Sequence, residues 1–230
     1  MIPLSPRLLT CAAMVKGDYV LDIGTDHAFL PAYLVMSGKC SHAVATDVKQ
    51  GPLNIAAATL QRYSVAKQVT LQLTNGFKKV NPKGITDVVI AGMGGENISS
   101  ILADPAAKWT QNDINLVLQP MSKPEVLRAW LAQNGFAVTM ETAVKDIRIY
   151  TVMQAVYTGQ IKPLSPAETY YGKLNPGELL TKIYIANVQE RLHKKENGLL
   201  QSGQQQEAQA IRSVINEIKA WLKPEEGDNT

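Results

Sequence analysis

The chain has 230 residues, of which 45% are hydrophobic and 19% are charged, and this composition excludes a wholly disordered chain, a collagen and a disulfide-stapled miniprotein. Its net charge of +3 is too small by itself to indicate a nucleic-acid partner, but the charge is uneven. Residues 1–163 hold 15 Lys and Arg against 11 Asp and Glu, whereas residues 164–230 hold 8 against 9. Any polyanion should therefore be bound mainly by the first part.

Apolar runs bounded by Gly and Pro predict strands that alternate with helices along most of the chain. The predicted strands cover residues 19–23, 42–46, 69–73, 87–91 and 114–118. The predicted helices cover residues 5–16, 28–36, 51–63, 98–102 and 124–133. This alternation is typical of an α/β fold with a mainly parallel, doubly wound sheet. The continuous β-branched run at 87–91 indicates that the fourth strand lies at the centre of the sheet.

The predicted segments 136–144 and 149–157 are joined by only a short polar link, so we expect a hairpin that closes the sheet with an antiparallel edge strand. A cluster of Pro and Gly then predicts a domain boundary, with one domain at 1–163 and a helical domain at 164–230. Apolar residues at heptad spacing predict two helices in a coiled-coil-like antiparallel hairpin. These are Ile185, Val188, Leu192 and Leu199, with Lys195 at the missing position, and Ala208, Ile211, Ile215, Ile218 and Leu222.

The two cysteines, Cys11 and Cys40, have no Cys or His at metal-ligand spacing and are too few for a disulfide framework. The N-terminus lacks the pattern of a signal peptide, and no apolar segment approaches the roughly 18–20 residues that span a bilayer. We therefore expect a cytoplasmic, monomeric protein with buried thiols, no membrane segment and no bound metal.

Glycine or polar residues follow each of the first five strands, where ligands bind in doubly wound sheets. These ends hold Asp22, Gly24 and Asp26 after the first strand, Asp47 after the second, Asn75 and Gly76 after the third, Gly92, Met93 and Gly94 after the fourth, and Gln119 after the fifth. A carboxylate in the position of Asp47 can accept both hydroxyls of a ribose. The repetition of this pattern predicts a nucleoside-cofactor site.

Two cofactors compete for this site, a dinucleotide and S-adenosylmethionine. A dinucleotide turn requires Gly-x-Gly-x-x-Gly, but Gly24 is followed here by Asp26 and Ala28, and an anion at the second position would repel a pyrophosphate. S-adenosylmethionine has no phosphate and carries a sulfonium and an ammonium group, so it fits better. The closing antiparallel hairpin is also typical of the Rossmann-like sheet of class I methyltransferases.

Several segments, in order, resemble the TrmK family of bacterial tRNA methyltransferases, which methylate N1 of adenine 22. These are Ser5-Pro6-Arg7-Leu8, the tract from Asp22 to Pro31, Thr46-Asp47-Val48, Gly51-Pro52, Asn75-Gly76, the tract from Ile90 to Gly95, and Leu118-Gln119-Pro120. The resemblance covers essentially the whole chain and is strongest over 1–160. It departs from the family at Met121, where we expect Asn, and we assign residue 121 no role.

The resemblance implies roles for individual residues. Asp22 and Gly24 would shape the cofactor pocket, and Asp47 would hold the ribose hydroxyls. Asn75 and Gly76 would lie near the cofactor adenine, and Gly92, Met93 and Gly94 would line the pocket beside the methyl group. Because N1 of adenine has an in-plane lone pair, it can attack the sulfonium methyl in line. We predict that Asp26 is catalytic and accepts a hydrogen bond from the adenine N6 amino group.

The implied tRNA partner requires phosphate contacts. The candidates are Arg7, Lys16, Lys49, Lys78, Lys79, Lys145 and Arg148. The helical hairpin either grips the tRNA by shape or only stabilises the protein or an oligomer. A methyltransferase acting on another RNA, a small molecule or a protein, and a non-catalytic RNA-binding protein, remain alternatives.

Overall fold

A computed structural model describes residues 2–107 and 114–223 of the chain, and its centre is a seven-stranded sheet. The strands are β1 (Tyr19–Ile23), β2 (His42–Asp47), β3 (Val69–Leu73), β4 (Asp87–Gly94), β5 (Asn115–Ser122), β6 (Phe136–Lys145) and β7 (Ile149–Tyr157). The α-helices are α1 (Pro6–Met14), α2 (Phe29–Met36), α3 (Gln50–Arg62), α4 (Gly95–Leu102), α5 (Pro124–Gln133), α6 (Glu168–Tyr171), α7 (Leu179–Gln201) and α8 (Gln205–Trp221). The predicted fold class is confirmed.

The strand order is β3-β2-β1-β4-β5-β7-β6, so β4 lies at the centre of the sheet as predicted. The first five strands pair in parallel, and the predicted hairpin of β6 and β7 closes the sheet. One detail differs from the expectation: the strand that runs against its neighbours, β7, lies between β5 and β6, and β6 forms the edge. A hairpin can add to a sheet through either of its strands, and the local sequence pattern does not distinguish the two.

Helices cover both faces of the sheet because neighbouring residues of each strand point to opposite sides. Val20 packs with Leu34 and Leu60 of α2 and α3, whereas Leu21 packs in a second core with Ile98 of α4 and Leu127 of α5. Two buried faces explain the continuous apolar character of these strands. Cys11 and Cys40 are free and buried, as predicted.

The helical hairpin of α7 and α8 is observed, and its turn includes Gly203 with a positive φ of 77°. The predicted apolar residues form its seam, but Lys195 is exposed and the buried position belongs to Glu196, which pairs with Arg212 at 2.6 Å. A 3.6-residue helical period favours the step of four from Leu192 to Glu196, because no partner helix forces a step of three at this turn. The ion pair compensates the buried charge.

The hairpin packs against β6 through a third core that contains Ala143, Ile185 and Ile215. Beside this core the guanidinium of Arg128 in α5 pairs with Glu141 of β6 at 2.7 Å, and both side chains are fully buried. Arg128 also donates to the carbonyl oxygens of residues 169 and 170 in α6. The helical part is thus joined to the sheet by apolar packing and by a buried ion pair. The boundary near residue 163 stays a prediction.

Within the described residues, no helix is long and apolar enough to cross a membrane.

Candidate active site at the carboxyl edge of the sheet

The turn between β1 and α2 is held against the end of β2 by backbone hydrogen bonds. The N–H groups of Gly24 and Thr25 both donate to the carbonyl oxygen of Thr46 at 2.9 Å. Gly24, Asp26 and Ala28 have positive φ values of 77°, 53° and 55°. Such values are uncommon for side-chain-bearing residues and tend to occur at functional sites. The tight turn turns the Asp26 carboxylate, 72% exposed, toward solvent at the pocket rim.

Asp47 ends β2 and fixes this turn from the side. Its Oδ2 accepts the N–H of Asp26 at 3.3 Å, and its Oδ1 accepts the N–H of Lys49 at 2.9 Å. Each carboxylate oxygen has two lone pairs, so both oxygens retain capacity for a further donor. Asp47 is therefore preorganised to accept hydroxyl groups at the carboxyl edge.

A pocket of about 260 Å³ lies between this turn, the end of β4 and the start of α1. Its lining residues are Arg7, Leu8, Asp22, Gly24, Thr25, Asp26, His27, Phe29, Leu30, Ala91 and Gly92. The structure thus brings four of the predicted site residues to one pocket: Asp22, Gly24, Asp26 and Gly92. Burial of Asp22, together with the negative charge of Asp47, raises its pKa to about 6.

Arg7 lines this pocket, although we expected it to contact RNA phosphate. Its Nη1 donates to Oε1 of the fully buried Gln119 at 3.0 Å, and the same oxygen accepts the N–H of Gly92 at 3.2 Å. Its Nε lies 3.7 Å from Asp146 in the turn between β6 and β7. Arg7 thus ties α1 to the ends of β4 and β5. Sequence reasoning missed this role, because the partners of Arg7 lie more than 100 residues away.

The remaining predicted cofactor residues lie around the pocket or beyond it. Met93 lies below Gly24, where a Cβ at residue 24 would collide with the Met93 methyl group. A Cβ at Gly94 would lie 3.1 Å from Ser122 Oγ, on the side away from the pocket. Asn75 is exposed and Gly76 buried after β3, two strands from β1, and neither lines the pocket.

Missed pocket residues include His27 and Phe29, whose rings meet edge to face at 6.0 Å. His27 Nε2 lies 3.5 Å from Asp26 Oδ1, so this ring can orient the carboxylate. Their position directly after Asp26 in the sequence was a signal that they border the site.

The predicted phosphate contacts fall on different parts of the surface. Lys49 follows β2, and the exposed Lys78 and Lys79 lie in the turn after β3, all at the carboxyl edge. Lys145 and Arg148 flank the turn between β6 and β7 at the same edge. Lys16 precedes β1, and its N–H donates to the carboxylate of Asp87 at the start of β4. Lys16 therefore lies at the opposite edge, away from the other candidates.

No group of three or more His, Cys, Asp and Glu in the described part of the chain is arranged to hold a metal ion.

Comparison with known proteins gives a consistent picture. A family model for a methyltransferase domain matches residues 4–153. The tRNA (adenine(22)-N(1))-methyltransferase of Bacillus subtilis is 31% identical over 156 residues, which cover 67% of this chain and 65% of the relative. The match therefore spans just under two thirds of that protein's length.

Two solved structures resemble nearly the whole chain. TrmK of M. capricolum, in complex with S-adenosyl-homocysteine, is 27% identical with a TM-score of 0.77, and the match covers 95% of this chain and 97% of that one. A Streptococcus pneumoniae protein in complex with S-adenosyl-L-methionine is 28% identical with a TM-score of 0.80, over 94% and 98% of the two chains. The likeness extends through the C-terminal helices.

Proposed function

The chain belongs to the methyltransferase-domain family, and we propose that it methylates N1 of adenine 22 in tRNA with S-adenosylmethionine as methyl donor. The observation that carries this proposal is the pocket at the carboxyl edge, where Asp22, Asp26, Asp47 and Arg7 surround the turn after β1. The Bacillus subtilis relative named as a tRNA (adenine(22)-N(1))-methyltransferase supports the choice of acceptor. The complexes with S-adenosylmethionine and S-adenosyl-homocysteine support the choice of cofactor.

The charges of the site fit S-adenosylmethionine better than a dinucleotide. Three carboxylates at the β1 and β2 ends would repel a pyrophosphate, but they suit a ligand with hydroxyl groups and positive charge. Asp47, with its two oxygens already anchored by N–H donors, would accept the ribose hydroxyls. The buried Asp22 would balance the ammonium group, and the Arg7 guanidinium would bind the carboxylate of the methionine part.

The acceptor chemistry asks little of the protein beyond positioning. S-adenosylmethionine, when bound, supplies an electrophilic methyl group. Adenine N1 has an in-plane lone pair, so no side chain has to remove a proton from it first. The methylated base becomes cationic, and the exposed Asp26 at the pocket rim would stabilise that charge by accepting a hydrogen bond from the N6 amino group. His27, 3.5 Å from Asp26, would orient the carboxylate.

Methyl transfer from labelled S-adenosylmethionine to unmodified tRNA tests the proposal. We expect labelling of tRNA with adenine at position 22 and none when guanine replaces that base. Equal labelling of both tRNAs would reject the assigned position, and no labelling of either, with cofactor binding intact, would reject the activity.

Two variants separate binding from catalysis. Asp47→Ala should weaken cofactor binding at least tenfold, because about 1.4 kcal/mol of lost hydrogen bonding is a factor of ten. Asp26→Asn should retain cofactor affinity and lose at least tenfold in turnover, since the amide cannot stabilise a positive charge as a carboxylate does. Asp18→Asn, at an exposed position at the opposite edge, is the matched control. Normal turnover of Asp26→Asn would refute the role of Asp26.

A further inference from the structure

A groove of about 540 Å³ lies between the end of β5, the turn between β6 and β7, and one side of α7. Four cationic side chains line it, and no Asp or Glu is among its lining residues in the described part of the chain. The cations are Lys123, Lys145, Arg148 and Arg191. The groove is thus formed jointly by the sheet and by the helical hairpin.

Three of these cations have no carboxylate partner. Lys123 pairs with Glu96 at 2.7 Å, but Lys145, Arg148 and Arg191 form no ion pair within the described residues, and all three are exposed. The one acidic residue of the turn, Asp146, is instead held by Arg7 on the pocket side. The positive charge of the groove is therefore available to a ligand.

The groove adjoins the candidate active site. Ser122 lines the groove and lies against Gly94, at the end of the glycine-rich strand whose residue Gly92 lines the pocket. Arg7 lines the pocket and contacts Asp146 at 3.7 Å, in the turn that forms one wall of the groove. A polymer with one unit at the pocket can therefore continue directly into the groove.

The wall near the pocket also carries exposed apolar side chains. Ile147 is 87% exposed and Met121 is 40% exposed, and Tyr150 lies beside them in the lining. Apolar and aromatic groups next to cations suit unstacked bases that are joined by phosphates. A purely anionic ligand would make no use of these apolar groups.

We propose that this groove binds the RNA strand that flanks the target adenine, with backbone phosphates on Lys145, Arg148 and Arg191. The inference rests on the proposed function and extends it, because it assigns the helical hairpin a direct role in substrate binding through Arg191. It also identifies which of the scattered basic residues act together. The charge complementarity and the continuity with the pocket carry the assignment.

The double variant Lys145→Gln/Arg191→Gln removes one cation from each wall of the groove. The double variant Lys83→Gln/Lys195→Gln removes the same charge from exposed positions outside the groove lining and is the matched control. All four side chains are exposed, so both proteins should fold, and thermal unfolding checks this. Binding of unmodified tRNA is measured against salt concentration, together with binding of S-adenosylmethionine.

Each lost phosphate contact should reduce the slope of log affinity against log salt by about 0.9, so the groove variant should lose about 2 in slope. We expect at least a tenfold loss of tRNA affinity, unchanged cofactor affinity and a raised KM for tRNA with little change in kcat. The control variant should retain the slope of the parent protein.

The outcomes separate the inference from the proposed function. If the parent protein methylates tRNA and the groove and control variants lose affinity equally or not at all, the groove assignment is wrong and the proposed function stands. If the parent protein neither binds nor methylates tRNA, both fail. If poly-glutamate displaces tRNA at equal charge concentration, the groove is a site for acidic protein and the RNA assignment is overturned.

Discussion

Replacing Asp22 by asparagine should stabilise the ligand-free protein at neutral pH. Asp22 lies at the base of the pocket with 5% of its surface exposed, and burial raises its pKa from 3.8 to about 6, helped by the charge of Asp47. The native state therefore binds this proton more tightly than the unfolded state does. An amide of nearly the same shape carries no charge and avoids the cost of ionising a buried carboxyl group.

The size of the effect follows from the two pKa values. One pH unit of difference corresponds to 1.36 kcal/mol, so the interval from 3.8 to about 6 corresponds to about 3 kcal/mol. Below pH 3.8 both states of the parent protein hold the proton, and the variant gains nothing. Between pH 4 and 6 the unfolded carboxyl ionises first, so the parent loses stability as pH rises. Above pH 6 the full difference is reached.

Urea unfolding of the parent and of Asp22→Asn at several pH values from 3.5 to 8 measures this difference. Asp18→Asn is a control of opposite sign: hydrogen bonds from Ser41 lower the pKa of Asp18, so that variant should lose stability at neutral pH and recover toward the parent in acid. The reasoning is refuted if Asp22→Asn is no more stable than the parent at pH 7.5, or if its advantage does not shrink toward pH 4. The same variant should bind S-adenosylmethionine more weakly, since Asp22 would no longer balance the ammonium group.

Two further changes test the packing around the site. Arg128→Met should lower the free energy of unfolding by about 3–5 kcal/mol in urea, because it leaves the buried carboxylate of Glu141 without its partner; a loss below 1 kcal/mol would contradict the importance of this pair. Gly95→Ala should destabilise by about 1–3 kcal/mol, because a Cβ there collides with the backbone carbonyl of Lys123. Gly51→Ala, in the first turn of α3 with open space around the added Cβ, should instead be neutral or stabilising by up to about 1 kcal/mol, and similar losses in both would exclude the steric explanation.

The order of strands and helices could be predicted because it is written in local patterns. The β-branched run at 87–91 predicted a buried central strand, and β4 occupies that place. The strand continues to Gly94, beyond the predicted end, because irregular pairing of Met93 and Gly94 with β5 extends it through the glycines. Local propensity does not contain that pairing, since glycine is weak in isolated strands.

The site could be predicted in part for a similar reason. Asp22, Gly24, Asp26 and Asp47 lie at the ends of parallel neighbours, β1 and β2, and parallel pairing brings such ends together whatever the side chains are. Asn75 and Gly76 also follow a strand, but β3 is one strand further out, and they lie outside the pocket lining. Strand order in space, rather than position after a strand, decides which end residues meet.

The sequence by itself determined the strand–helix alternation, the closing hairpin, the helical appendage and the acidic turn after the first strand, because each depends on residues within a few positions of one another. Only the tertiary structure decided that Arg7 meets Gln119, 112 positions away, and that Arg191 of α7 faces Lys145 across one groove. Such contacts join segments brought together by packing of the whole chain, and they leave no periodic trace in the sequence. The charges that bind an extended ligand are therefore recognised as one surface only after folding has placed them side by side.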